Sequence, residues 1–86
     1  MYQVEYTRDA LKALRAMPRN DASFVRGKIE KLAENPFAAS NVKKLVGRDG
    51  YRLRAGDWRV IYQIDGQRLV VHVLAIAQRE GVYKNE

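Results

Sequence analysis

The residue pattern predicts an α+β fold of order β-α-α-β-β-β, with a helical hairpin packed on one face of a mainly antiparallel four-stranded sheet. Three observations carry the prediction. Apolar residues recur at helical spacing between about residues 10 and 32, and at period two on either side of that region. A proline follows each helical run, at Pro18 and Pro36. Gly56-Asp57 and Asp65-Gly66 then punctuate the C-terminal half at the spacing of successive hairpins.

Each element follows in order. Residues 2–6 alternate, with Tyr2, Val4 and Tyr6 on one face, and form a first strand. Thr7 supplies a cap for a helix beginning near Arg8. Ala10, Leu11, Leu14 and Met17 mark its apolar face, and Pro18 ends it. Asn20 or Asp21 is positioned to cap a second helix, whose apolar face is Ala22, Val25, Ile29 and Leu32. Asn35-Pro36 closes this helix, because the residue before a proline avoids helical geometry. Leu45 is the candidate start of a short strand, and Gly47 and Gly50 bracket a loop. Residues 51–54 alternate, Gly56-Asp57 turns the chain, and residues 58–64 form the next strand. Asp65-Gly66 reads as a tight hairpin with positive φ at both turn positions. Residues 68–77 are apolar on both faces over much of their length, which predicts an interior strand. Residues 79–86 form a short helical turn or stay irregular. The apolar stripes of the helical pair must cover one sheet face, leaving the other face free for function.

Composition narrows the function classes. The 86 residues are 47% hydrophobic, enough for one domain spanning 1–86 with a modest core. Cysteine is absent, which excludes a disulfide framework, thiol catalysis and thiolate-bound zinc. The N-terminus has no apolar run of signal-peptide length, and the most apolar stretch, residues 69–77, is broken by His72 and too short to span a bilayer. The expected location is the cytoplasm, with no membrane partner. His72 is the obvious general base by residue type. Its neighbours Val71, Val73 and Leu74 argue for a histidine within the sheet, while its parity, opposite to Leu69, Val71 and Val73, allows exposure on the other face. Without a partner ligand, neither a metal nor a cofactor is expected.

Sixteen Lys and Arg against ten Asp and Glu give a net charge of +6, which suggests a polyanionic or acidic partner. The excess is concentrated. From Lys43 to Arg59, the residues Lys43, Lys44, Arg48, Arg52, Arg54 and Arg59 leave a net +4 over seventeen residues. Arg52 and Arg54 share one strand face opposite Tyr51 and Leu53, and Arg59 follows just after the Gly56-Asp57 turn. Arg79 closes the last strand, with Tyr83 four residues on. Guanidinium groups gathered in this way repel one another, which is easiest to explain if an anion normally sits among them. Period-two alternation also produces such a face on any half-buried sheet, and that reading stays open. Trp58, Tyr51 and Tyr62 are suited either to base stacking or to the core and rim of the sheet. Arg8, Lys12, Arg15, Arg26, Lys28 and Lys31 read as a solvated helix surface, with non-specific contacts to RNA as the alternative.

The segment YRLRAGDWRVIYQIDGQRLVVHVLAIAQREGVYK (51–84) resembles the C-terminal half of RelE-type toxins of the RelE/ParE superfamily. These carry a basic-hydrophobic-basic strand, a turn, an aromatic-Arg-hydrophobic strand, and a last strand ending in Arg with a late Tyr. The first strand and two helices are similar as well, so the resemblance spans nearly the whole chain. It implies a RelE-like fold and a toxin paired with a cognate antitoxin. It further implies either mRNA cleavage in the A site of the 70S ribosome or, for ParE-like members, inhibition of DNA gyrase by binding. Carried over by position, Arg52 and Arg54 take the two basic strand positions, Arg59 the arginine after the aromatic residue, Arg79 the closing arginine, and Tyr83 the late tyrosine. Arginines stand where lysines are common, and Gln78 stands where many relatives have histidine.

What the resemblance implies chemically is an endoribonuclease needing no metal, in which the substrate's 2′-hydroxyl attacks the adjacent phosphate. Arg59 then clamps the scissile phosphate, and Arg79 stabilises developing charge and protonates the leaving oxygen. Arg52 and Arg54 hold backbone phosphates or lower the pKa of the attacking hydroxyl, with Lys43, Lys44 and Arg48 as further RNA contacts. Tyr83 stacks on or orients a base, with assistance to proton removal as a further role. Arginine is a poor general base, since its pKa above about 12 leaves no neutral form at pH 7. A non-catalytic module that binds an acidic partner through the same face is the remaining alternative.

Overall fold

The computed structural model describes residues 1–78. The chain runs β1 (Gln3–Tyr6), α1 (Arg8–Ala16), α2 (Arg19–Glu34), β2 (Val42–Lys44), β3 (Tyr51–Ala55), β4 (Trp58–Asp65) and β5 (Val70–Gln78). Thr7 caps α1 as expected, its Oγ1 accepting from the Ala10 amide at 3.1 Å. The second cap differs from expectation. α2 begins at Arg19, with Pro18 in the cap position and no side-chain cap bond from Asn20 or Asp21. Ring closure already holds Pro18 at φ −55°, and its carbonyl accepts from the Ala22 amide at 2.9 Å. Asp21 lies instead in the first turn, where its charge suits the positive helix end. Asn35 ends α2 before Pro36, as expected.

Among the described residues the sheet has five strands, in the order β1-β5-β4-β3-β2, with β1 parallel to β5 and every other pair antiparallel. The expected four-stranded sheet is one strand short. The addition is β2, which pairs with β3 three residues before the expected start at Leu45. Its sequence, Val-Lys-Lys, has no alternation to read, because only Val42 turns toward the core. Exposed lysines on a short edge strand also discourage pairing with another chain.

β5 is interior, hydrogen-bonded to β1 on one side and β4 on the other. Its apolar character on both faces has a specific cause. Tyr62 pairs with Val73 and Ile61 with Ala75, so Leu74 is an extra residue, a β-bulge. Val71 and Val73 face the core before the bulge, and Ile76 faces it afterwards. The Thr7 hydroxyl donates to the Leu74 carbonyl at 2.6 Å, and the Thr7 amide donates to Val73 at 3.0 Å. One residue thus starts α1 and fixes the bulge.

The two hairpins differ. Ala55 pairs with Trp58 across Gly56-Asp57, and Gly56 alone has positive φ, +62°, the pattern of a type II′ turn. A Cβ on Gly56 would lie 3.2 Å from the Phe24 ring, so this turn rests on α2. At Asp65-Gly66 the expected two-residue turn is replaced by a four-residue loop, 66–69, since Asp65 pairs with Val70. The Asp65 carboxylate accepts from the Gln67 and Arg68 amides at 3.1 and 3.0 Å, and the positive φ falls on Leu69. Side-chain capping by aspartate overrides the dipeptide signal.

One core cluster joins Ala10, Leu14, Val25 and Ile29 of the helices to Leu53, Val60, Tyr62 and Val73 of the sheet. Each fully buried aliphatic side chain contributes about 1.5–3 kcal/mol through removal from water. No helix among the described residues is long and apolar enough to cross a membrane. The Tyr62 hydroxyl is buried without a hydrogen-bond partner among the described residues. Burial, then repulsion from Tyr51 stacked 5.6 Å away, pushes its pKa up to about 12.

Two outcomes follow for stability. Gly50 holds φ +119°, and a Cβ there would lie 2.9 Å from the Tyr62 carbonyl oxygen, so Gly50→Ala should lower the urea-unfolding free energy by about 2–3 kcal/mol. The raised Tyr62 pKa means that an unfolded tyrosine releases its proton first. The stability this proton confers is full below pH 10 and is lost as pH rises toward about 12. Urea titrations across that window should show the fall, reduced in Tyr62→Phe.

Candidate functional site

The sheet face opposite the helices is built in rows by the strand register. Lys43 of β2, Arg52 of β3, Ile61 of β4 and Ala75 of β5 form one row. Arg54, Arg59 and Ala77 form the next. Two directly opposed pairs, Lys43 with Arg52 and Arg54 with Arg59, therefore carry like charge. Directly opposed residues have Cβ atoms about 4.5–5.5 Å apart, and like charges at that separation destabilise a sheet. Arg52 and Arg59 are half-buried, and Arg54 and Lys43 are exposed. Lys43, Arg52 and Arg54 have no ion-pair partner among the described residues.

These side chains line a cleft of about 380 Å³ together with Asn41 and Val42. Asn41 was not anticipated from the sequence. It adopts φ 63°, a left-handed conformation that asparagine tolerates better than most residues, and its carbonyl accepts from the Arg54 amide at 2.9 Å. Its only sequence signal is an asparagine in a polar connection. The cleft offers planar, permanently charged donors on an open surface, an arrangement suited to phosphate oxygens.

The remaining expected residues divide. Lys44 has the opposite parity to Lys43 and lines a separate cleft of about 340 Å³ with Asp49, Tyr51 and Gln63. Arg48 is exposed in the loop between β2 and β3 and does not line the arginine cleft. Arg79 and Tyr83 lie outside the described residues. The last described residue of β5, Gln78, pairs with Trp58, so β5 runs toward the Arg54–Arg59 end of the sheet. His72 does share the open face, but it pairs with Glu5 and Gln63. Gln63 is four residues from Arg59 along β4, roughly 13 Å at strand rise, beyond the reach of a direct proton transfer at the cleft. The stack of Tyr51 on Tyr62, and the packing of Trp58 against the core, make these aromatics structural.

Comparison with known proteins agrees with this architecture. Residues 4–83 match the family model described as the ParE toxin of the type II toxin-antitoxin system, parDE. A chain from Methanocaldococcus jannaschii named as toxin RelE1 is 33% identical over 87 residues, covering 98% of this chain and 97% of its own length. Among solved structures, the archaeal RelE-RelB complex from Pyrococcus horikoshii has a TM-score of 0.79 at 30% identity, covering 91% of this chain and 94% of the other. The isolated Escherichia coli RelE toxin has a TM-score of 0.76 at 28% identity, covering 99% and 94%. Matched along almost its full length by both a family model and a relative of similar size, the chain belongs to the RelE/ParE superfamily of type II toxin-antitoxin toxins.

Proposed function

We propose that this toxin is a ribosome-dependent endoribonuclease that cleaves mRNA in the A site, with the 2′-hydroxyl of the substrate attacking the scissile phosphate. The observation that carries the reading is the arginine cleft, where two opposed like-charge pairs, Lys43/Arg52 and Arg54/Arg59, line one face. A fold tolerates such repulsion most readily where a phosphodiester offsets it. In this mechanism Arg59 clamps the scissile phosphate and Arg54 stabilises its added negative charge, while Arg52 and Lys43 hold adjacent phosphates. Arg79 protonates the leaving 5′-oxygen and regains its proton from solvent water, which also takes the proton of the attacking 2′-hydroxyl, and Tyr83 orients a base. Lys44 and Arg48, set away from the cleft, contribute only long-range attraction. With His72 out of reach, positioning of the 2′-hydroxyl supplies much of the rate.

A cognate antitoxin is the proposed protein partner, since the Pyrococcus horikoshii relative was solved as a complex with RelB. A second reading is a gyrase inhibitor acting by binding, and the match to the ParE family model favours it. The two readings separate cleanly. Primer extension after induction should show position-dependent mRNA breaks, and a purified gyrase cleavage assay should show no stabilised DNA breaks. The opposite pattern selects gyrase.

Arg59→Ala should slow cleavage on programmed ribosomes by about 10²–10³-fold, the usual cost of losing one donor to a developing oxyanion. Arg79→Ala should do the same. Unchanged mRNA cleavage and growth arrest in Arg59→Ala would remove the phosphate clamp.

A further inference from the structure

A second cleft of about 320 Å³ lies between the C-terminal half of α2 and β3, lined among others by Lys28, Lys31, Glu34, Ser40, Asn41 and Arg54. Asn41 and Arg54 also line the arginine cleft, so the two depressions meet across one saddle. The saddle is fixed by the bond from the Arg54 amide to the Asn41 carbonyl. Lys28 is held rather than free to sweep through solvent, with its Nζ 5.5 Å from the centre of the Phe24 ring. Phe24, an apolar side chain left 47% exposed, lies between that ammonium and the Gly56 turn of the arginine hairpin. Neither Lys28 nor Lys31 has an ion-pair partner among the described residues, although Glu34 lines the same cleft.

We propose that this cleft is a second backbone subsite, in which Lys28 and Lys31 bind phosphates of a single RNA strand that continues from the arginine cleft across Asn41 and Arg54. The inference rests on the RNA-cleaving reading and extends it to the substrate beyond the scissile bond. Cations interleaved with amide and hydroxyl side chains match the donors that usually hold phosphate and sugar. Glu34 favours RNA over an acidic peptide. A carboxylate placed beside Glu34 is repelled, whereas a ribose 2′-hydroxyl placed there finds an acceptor.

The test is fluorescence anisotropy with single-stranded RNA of twelve and of four nucleotides, on the wild type, Lys28→Ala/Lys31→Ala, and Lys12→Ala/Arg15→Ala. The last pair removes the same charge from α1 residues that line neither cleft. Loss of two single-strand phosphate contacts, each about 0.7 in the slope of log affinity against log salt, should lower that slope by about 1.4. The twelve-mer should bind about tenfold more weakly to the Lys28/Lys31 variant at low salt, and the four-mer within about twofold of wild type. The Lys12/Arg15 variant should bind both RNAs as wild type does. Equal weakening in both double variants, or a twelve-mer affinity unmoved by the Lys28/Lys31 change, overturns the subsite. So does loss of a glutamate-rich peptide, rather than RNA, from that variant. Primer extension reads the cleavage reaction separately, so the subsite can fail while the nuclease reading stands.

Discussion

The hydroxyl of Thr7 sits at the point on which the two faces of the sheet depend. It caps α1 through Ala10 and bonds the Leu74 carbonyl at the bulge, so the register of β5 and the start of the first helix are set together. Without the extra residue at Leu74, strand parity would carry Ile76 away from the helices and turn Ala75 and Ala77 toward them. The bulge keeps Ile76 in the core and leaves small side chains beside Ile61 and Arg59 on the open face. The floor of the candidate site and the packing of the helical layer are therefore two results of one local irregularity.

The open face is electrostatically uneven. At one end Glu5 pairs with Arg68 at 3.2 Å and lies beside His72. Toward the other end Lys43 opposes Arg52 and Arg54 opposes Arg59, and the described residues that line the cleft include no carboxylate. A sheet selected only for stability would alternate its charges across strands. Here the core of aliphatic side chains carries the fold, and the like-charge pairs of the open face oppose it. Direction along β4 thus corresponds to a change from locally neutral to strongly cationic surface.

Most of the architecture was legible because it rests on periodicity. The faces of α1 and α2, the Thr7 cap, the Gly56-Asp57 turn and the shared parity of Arg52 and Arg54 each have a local signal in the sequence. What could not be read depends on contacts distant in the chain. β2 has only Val42 on the core side, so it exists because β3 offers it an edge. The bulge at Leu74 leaves no mark in a uniformly apolar strand. The cap of α2 was misplaced because Pro18 makes a side-chain cap unnecessary. At the site, Arg52, Arg54 and Arg59 were predictable from alternation plus one turn. The separation of Lys44 from Lys43, and the part played by Asn41, required the edge-strand register and a left-handed backbone.

The contact between the Gly56 turn and Phe24 has a consequence for how such a scaffold changes its target. The hairpin bearing Arg54 and Arg59 is braced against α2 by a ring, while those two side chains lie on the opposite face. Alternate positions on β3 and β4 can be exchanged without altering the volume of the interior, and the brace holds the presenting loop in place throughout. Recognition is in this sense modular: an interchangeable row of surface groups mounted on a frame that does not register the exchange.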